Sequence, residues 1–181
     1  TQMISEFTIT NALHFLRLEH SEEQKLLLEA KVNESLVIEI YVDYVEHCYP
    51  SFYMCFESFR AYLIKHGYGR DETRLRRLYN AFRANYRSFV DFHEFLIGLV
   101  CLEPDCTSKS QLIRAHFVFR HYDFEQRGLL NKTCVIALLK DAYPTWSDSS
   151  ISTEAQRLLG IRTHLTFDDF CNLLAPELDG K

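Results

Sequence analysis

The 181-residue sequence predicts an all-α fold, and three observations carry that prediction. Apolar residues recur at i, i+3, i+4 and i+7 in one segment after another, the spacing of a helix that buries one face. Long strict alternation, the mark of half-buried strands, is scarce. Only six Gly and four Pro punctuate a chain that is 47% hydrophobic and 25% charged. Such a composition can bury a core and is unlike a linker or a disordered tract.

Each element has its own signal. Phe7 to Leu18 reads as an amphipathic helix. Ser21-Glu22-Glu23-Gln24 fits the S-x-x-Q capping box ahead of Leu26-Leu27-Leu28, which sets a second helix start. Further periodic segments run over about 34–47, 56–66, 71–82, 92–103, 108–121, 131–142, 151–159 and 167–174. The breaks carry turn chemistry: Tyr49-Pro50-Ser51, Gly67-Tyr68-Gly69, Glu103-Pro104-Asp105, Arg127-Gly128 and Tyr143-Pro144. The clearest linker, Leu102 to Ser108, implies three parts: an N-terminal helical extension over 1–33 and halves over 34–102 and 108–175.

Several classes of function are excluded. No apolar run reaches the ~18 residues of a membrane span. A net charge of −5 supplies no global field for nucleic acid. The six Cys form no C-x-x-C and mostly have apolar neighbours, as reduced thiols of a cytoplasmic protein do. The opening at Thr1, without a signal-peptide pattern, reads as a processed or excised chain. No G-x-S-x-G, P-loop or H-E-x-x-H motif occurs, so nothing argues for an enzyme. His116, His121 and Cys134 have the wrong spacing for a zinc module. The run Arg70, Arg74, Arg76, Arg77, Arg83, Arg87 reads first as a solvated face with snorkelling side chains, and second as a patch for an anionic partner.

The joints repeat. Phe89-Val90-Asp91-Phe92-His93-Glu94-Phe95 is an apolar pair followed by a helix start; Leu129-Leu130-Asn131-Lys132-Thr133-Cys134-Val135 and Leu165-Thr166-Phe167-Asp168-Asp169-Phe170 share its rhythm at intervals of roughly 35–40 residues. The stretch Asn80 to Phe95, with the passage from Ile97-Gly98-Leu99-Val100 to Phe117-Val118-Phe119-Arg120-His121-Tyr122-Asp123, resembles EF-hands of the recoverin/frequenin and calcineurin B type. The likeness covers roughly residues 34–175. It implies two pairs of EF-hand-like helix-loop-helix units with short two-stranded loop pairings, plus the extra N-terminal helical segment. Met54 would then pair with Val90, and Leu130 with Leu165.

The loops lack the chemistry that the resemblance would bring. Calcium takes six to eight oxygens, from loop places 1, 3, 5, 7, 9 and a bidentate Glu at 12, with Gly at 6. Between Arg83 and Glu94, Asn85 and Glu94 suit places 3 and 12, but Arg83 and Arg87 stand at 1 and 5. A guanidinium cannot neutralise itself, and each opposes a divalent ion by several kcal/mol, from ~4 kcal/mol for unit charges at 4 Å and intermediate dielectric. Arg87 and Arg127 are candidates to replace the cation by bonding loop carbonyls or acids such as Asp91 and Glu125. The next loop keeps Asp123, Glu125 and Gly128 but ends in Cys134; Asp123 and Glu125 make it a weak metal candidate at most, and a plain turn role for Asp123 is preferred. The fourth unit opens on Leu158-Leu159-Gly160-Ile161, and the first offers His47, Pro50, Phe52 and Tyr53. No cofactor is expected.

The expected function is therefore a calcium-independent, EF-hand-like protein-interaction module. Related folds seat an amphipathic helix of a partner in an apolar groove. Phe52, Phe56, Phe59, Phe82, Phe92, Phe95 and Leu96 are the candidate groove residues, with filling of the lobe's own core as the competing role. Phe7–Leu18 is a candidate to dock there in cis. The alternatives are a regulatory EF-hand domain of a larger enzyme, such as a ubiquitin-specific protease or phosphatase, and a weak calcium sensor.

Overall fold

A computed structural model describes residues 22–102 and 111–178, and among them the chain is helical with one small sheet. The order is α1 (Glu22–Glu29), α2 (Glu34–Cys48), α3 (Phe56–Lys65), α4 (Glu72–Phe82), α5 (Phe92–Leu102), α6 (Gln111–Tyr122), β1 (Leu130–Asn131), α7 (Lys132–Ala142), α8 (Asp148–Leu159), β2 (His164–Leu165) and α9 (Phe167–Leu178). Phe7–Leu18 and most of the Leu102–Ser108 linker lie outside the described residues. Among the described residues, no helix is long and apolar enough to cross a membrane.

Helix starts follow their caps. The side chains of Asn33, Asp71, Asn131 and Ser147 each accept an amide N–H of the first turn of α2, α4, α7 and α8. The last of these corrects the expected start of α8 at residue 151. Ser147 Oγ accepts the Ser150 amide at 3.2 Å, so Asp148, Ser149 and Ser150 wind into the first turn instead of forming a loop. Asp91 and Glu94 make a reciprocal capping box at α5, with Glu94 N–H donating to Asp91 Oδ1 at 2.9 Å and Asp91 N–H to Glu94 Oε2 at 3.1 Å.

The short pairings fall at the expected residues. Leu130 pairs with Leu165 and Asn131 with His164 in an antiparallel ribbon. Met54 and Val90 form an isolated antiparallel bridge. Each pairing ties the start of one helix to the start of another two helices along the chain.

The described residues form two apolar cores. The first gathers α1 to α5, and α6 contributes Phe117 to it; the second gathers α6 to α9 around the β1–β2 pair. Helix α6 is the shared wall. Phe117 lies 5.6 Å from Phe82 between ring centroids, while Phe119 faces Phe170 at 5.7 Å. α4 packs along α6, and polar clamps secure the joint: Arg120 Nε donates to Ala81 O at 2.8 Å, and an Arg83 guanidinium nitrogen donates to Gln126 Oε1 at 3.0 Å.

Gly98 lets α5 approach α4. A Cβ built on it would stand 2.3 Å from the Phe82 ring, which is fully enclosed. Gly98→Ala should therefore destabilise the first core by about 1–3 kcal/mol, the usual cost of overpacking, despite alanine's better helix propensity. Chemical denaturation reads this directly; a gain in stability would mean that Phe82 has room to move.

Candidate functional site

The joint between the first two helix-loop-helix units is closed by two tyrosines. Met54 and Val90 exchange backbone hydrogen bonds of 2.9 and 3.0 Å. The same two carbonyls also accept phenol hydroxyls: Tyr44 Oη reaches Val90 O at 2.9 Å and Phe52 O at 3.1 Å, and Tyr79 Oη reaches Ser88 O at 2.9 Å and Met54 O at 3.1 Å. Both lone pairs of the Met54 and Val90 carbonyls are thus engaged, one by an amide and one by a buried hydroxyl. Burial holds the Tyr79 phenol in its neutral, donating form, pushing its pKa up to about 12.

Below this bridge, the loop from Arg83 to Glu94 is filled by its own side chains. An Arg83 guanidinium nitrogen donates to Arg87 O at 2.7 Å, and another to Asn80 Oδ1 at 2.7 Å. Arg87 pairs with Asp91 and reaches Glu94 Oε2 at 3.4 Å. Glu94 is buried, and its Oε1 accepts both the backbone and side-chain N–H of Asn85, at 3.0 and 3.1 Å. Every oxygen of Glu94 is therefore spoken for by groups of the same loop.

The loop from Asp123 to Cys134 is organised by one carboxylate. Asp123 is fully buried and accepts the amides of Arg127 at 3.1 Å and Gly128 at 2.6 Å. This is the turn role, and it points both oxygens at backbone donors. Glu125 instead faces outward in an exposed pair with Arg127 at 3.2 Å, so the two acids do not converge. Gln126 and Tyr86 hold left-handed φ of 54° and 55° at the equivalent place of their two loops. Among the described residues, no group of three or more His, Cys, Asp or Glu is placed to hold a metal ion.

The seven candidate groove residues are dispersed by the structure. Phe59, Phe82, Phe92, Phe95 and Leu96 are core residues, each at most 7% exposed. They satisfy one another by ring contacts, such as Phe59 on Phe82 at 4.8 Å and Tyr62 on Phe95 at 4.8 Å. Phe56 is half-buried, edge-on to Tyr79 with the Arg76 guanidinium 4.1 Å above its ring. Phe52 is exposed, but on a loop tip rather than in a groove. The physical reason is that the rings interlock edge to face where α5 closes on α4 at Gly98, while α1 also packs on α5 with Leu26 and Leu27 fully buried. Glu23 also ion-pairs with His93 at 2.6 Å.

What stays open lies beside the end of α1. A cavity of about 590 Å³ is lined by Val32, Leu36, Ile40, Tyr62, Tyr68 and Leu99, among others. A second hollow of about 650 Å³ shares Leu36, Ile40, Tyr62 and His66 with it and continues along α2 past Glu39, Asp43 and Glu46. Asp43 is already held by Lys65 and His66, each at 2.7 Å, whereas Glu39 and Glu46 are exposed on the rim. Sequence reasoning missed this surface, the tyrosine pair and the His93 contact. Only α1 had a legible trace, in the leucine run after Ser21. No protein-family model matches the chain, and no curated protein matches it.

Two outcomes follow from these contacts. Tyr79→Phe should cost about 1 kcal/mol, the net worth of one hydrogen bond, and should lessen the alkaline loss of stability without abolishing it. That loss arises because unfolded phenols ionise near the ordinary value of 10 whereas burial holds Tyr79 to about 12 and also raises Tyr44, Tyr62 and Tyr122, which the variant leaves in place. Stability is thus full below pH 10 and lost as pH rises through the folded value. Urea melts of both proteins at pH 8 and 11 measure it.

The second concerns Glu23 and His93. Their mutual hydrogen bond raises His93 above 6.5 and lowers Glu23 below 4.5, with Asp91 and Glu94 adding to the pull on His93. The histidine contribution is present below pH 6.5 and fades as pH rises through its folded value; the glutamate contribution is present above pH 4.5 and fades in acid. Protection of α1 amides from hydrogen exchange, corrected for intrinsic rates, should peak between these limits. His93→Gln should abolish the loss on the neutral side.

Proposed function

We propose that the chain is a calcium-independent, EF-hand-like protein-interaction module that takes an amphipathic helix of a partner. The observation that carries the reading is the open apolar hollow on the first lobe, lined by Leu36, Ile40, Tyr62, Tyr68 and Leu99 and rimmed by Glu39 and Glu46. A cleft with apolar walls and a charged rim suits a helix that is apolar on one face and basic on its flank. Glu39 and Glu46 stand seven residues apart on one face of α2, spaced to meet cations two turns apart.

The EF-hand-like part is supported by helix pairs bridged at Met54–Val90 and Leu130–Leu165 and by the turn around Asp123. Calcium independence is supported by Arg83, Arg87, Asn85 and Glu94 bonding one another where an ion would need free oxygens.

The test uses one variant and one ion. Leu36 is 38% exposed at the third position of α2, behind the Asn33 cap, where a glutamate also suits a helix start. Leu36→Glu should leave stability within about ±0.5 kcal/mol yet weaken capture of the partner by tenfold or more. Calcium at about 0.1 mM, enough to saturate a site of sensor affinity, should leave the melting temperature unchanged with or without chelator. Capture unaffected by Leu36→Glu would sink the binding surface; a calcium-dependent shift would restore the sensor reading.

A further inference from the structure

Helix α1 occupies the first lobe as a ligand would. It has only eight residues, short of what an isolated helix needs to persist in water. Its hold comes from one face, on which Glu23, Leu26 and Leu27 stand at i, i+3 and i+4. The two leucines are buried to 1% exposure or less, and Glu23 meets His93 at the start of α5. Away from that face, Leu28 is 66% exposed.

The joint that ties α1 to the lobe is strained. Lys31 holds φ 57°, a left-handed conformation that favours glycine. It closes a Schellman turn, with Lys31 N–H donating to Leu28 O and Val32 N–H to Leu27 O, both at 3.0 Å. Melting of α1, which a free helix of this length undergoes, releases that conformation. The same joint forms one wall of the open hollow, since Glu29, Ala30, Lys31 and Val32 line it together with Leu99 and Val100 of α5. The hollow is continuous with the track on which α1 lies.

We propose that α1 is a displaceable cis ligand of the first lobe, and that a partner helix binds by taking its place along α5. This rests on the reading that the lobe receives a helix, and it specifies which helix. The occupant α1 displays the recognised pattern: an acidic residue facing His93, then a leucine pair on the same face three and four positions later. A partner running in the direction of α1 then enters the hollow with its C-terminal half, where Glu39 and Glu46 await cations. Acid near the N-terminus and base near the C-terminus also suit the helix dipole.

The experiment uses the full chain, a Leu26→Asp/Leu27→Asp double variant of it, and a fluorescent peptide of residues 20–33. The peptide should bind the double variant at least tenfold more tightly than the unaltered protein, whose site is filled. The same peptide carrying both aspartates should not bind, and adding His93→Gln to the double variant should weaken binding. A folded double variant that ignores the peptide overturns the proposal, as does equal binding to both proteins. If the double variant does not fold, hydrogen exchange of the unaltered chain decides. Exchange of α1 amides at least tenfold faster than those of α5 supports displacement; exchange of both only together, on global unfolding, overturns it. These arms stand apart from the Leu36→Glu capture test. Their failure removes the cis ligand alone, whereas their success beside unchanged capture by Leu36→Glu removes the docking surface proposed above.

Discussion

Everything in the first lobe is referred to the Met54–Val90 bridge. Two residues give too short a contact to survive as a free ribbon, because a two-stranded pairing in water is marginal even at hairpin length. Here it is held from below on both sides. Tyr44 comes from α2 and Tyr79 from α4, so each hydroxyl fastens a different helix to the loop crossing. The rings beneath continue into the aromatic core, with Tyr44 on Phe95 at 5.2 Å and Tyr79 on Phe59 at 5.2 Å. Loop geometry and core packing are consequently one structure: moving either ring disturbs a carbonyl that the bridge also uses.

This arrangement changes what holds the loops. A divalent ion would draw six to eight oxygens inward and could leave again. Fixed guanidiniums cannot leave. Arg83 ties Asn80, Arg87 O and, across the joint, Gln126, so the first loop is linked to the beginning of the second lobe. Asp91 serves α5 as its cap and Arg87 as its counter-ion, while Glu94 returns the cap and binds Asn85. Cross-links of this kind, made by side chains of the chain itself, favour one state of the loop over two. On the proposed reading such a loop is a scaffold rather than a switch.

Much of this was legible in the sequence. Helix periodicity and turn residues placed α2 to α7 to within a residue or two wherever the chain is described, because caps such as Asn33 and Asp71 are local signals. Both loop pairings followed from the resemblance to paired EF-hand loops, which sets Met54 against Val90 and Leu130 against Leu165. Burial was not readable. The rings from Phe52 to Phe95 suggested a groove with core filling as the competing role, and edge-to-face contacts and the missing side chain of Gly98 let most of them interlock as core. The hollow is formed by residues from α2, α3 and α5 and by the turn after α1, an assembly with no period in the chain.

If the proposed reading holds, control has to lie somewhere other than an ion. His93 is the point at which the pieces touch. It lies within the α5 capping box, in the field of Asp91 and Glu94, and it receives Glu23 from α1. The acids that order the loop therefore also strengthen the base that holds α1. On the proposed reading, a sensor's ion-driven opening is replaced by competition between two helices for one surface. Competition of this kind is set by the difference in affinity between the cis and trans ligands, not by the strength of either alone. The short length of α1 and the strained turn at Lys31 both weaken the cis side. The clamped α4–α6 joint is untouched by the exchange, so a partner can be received without parting the two cores.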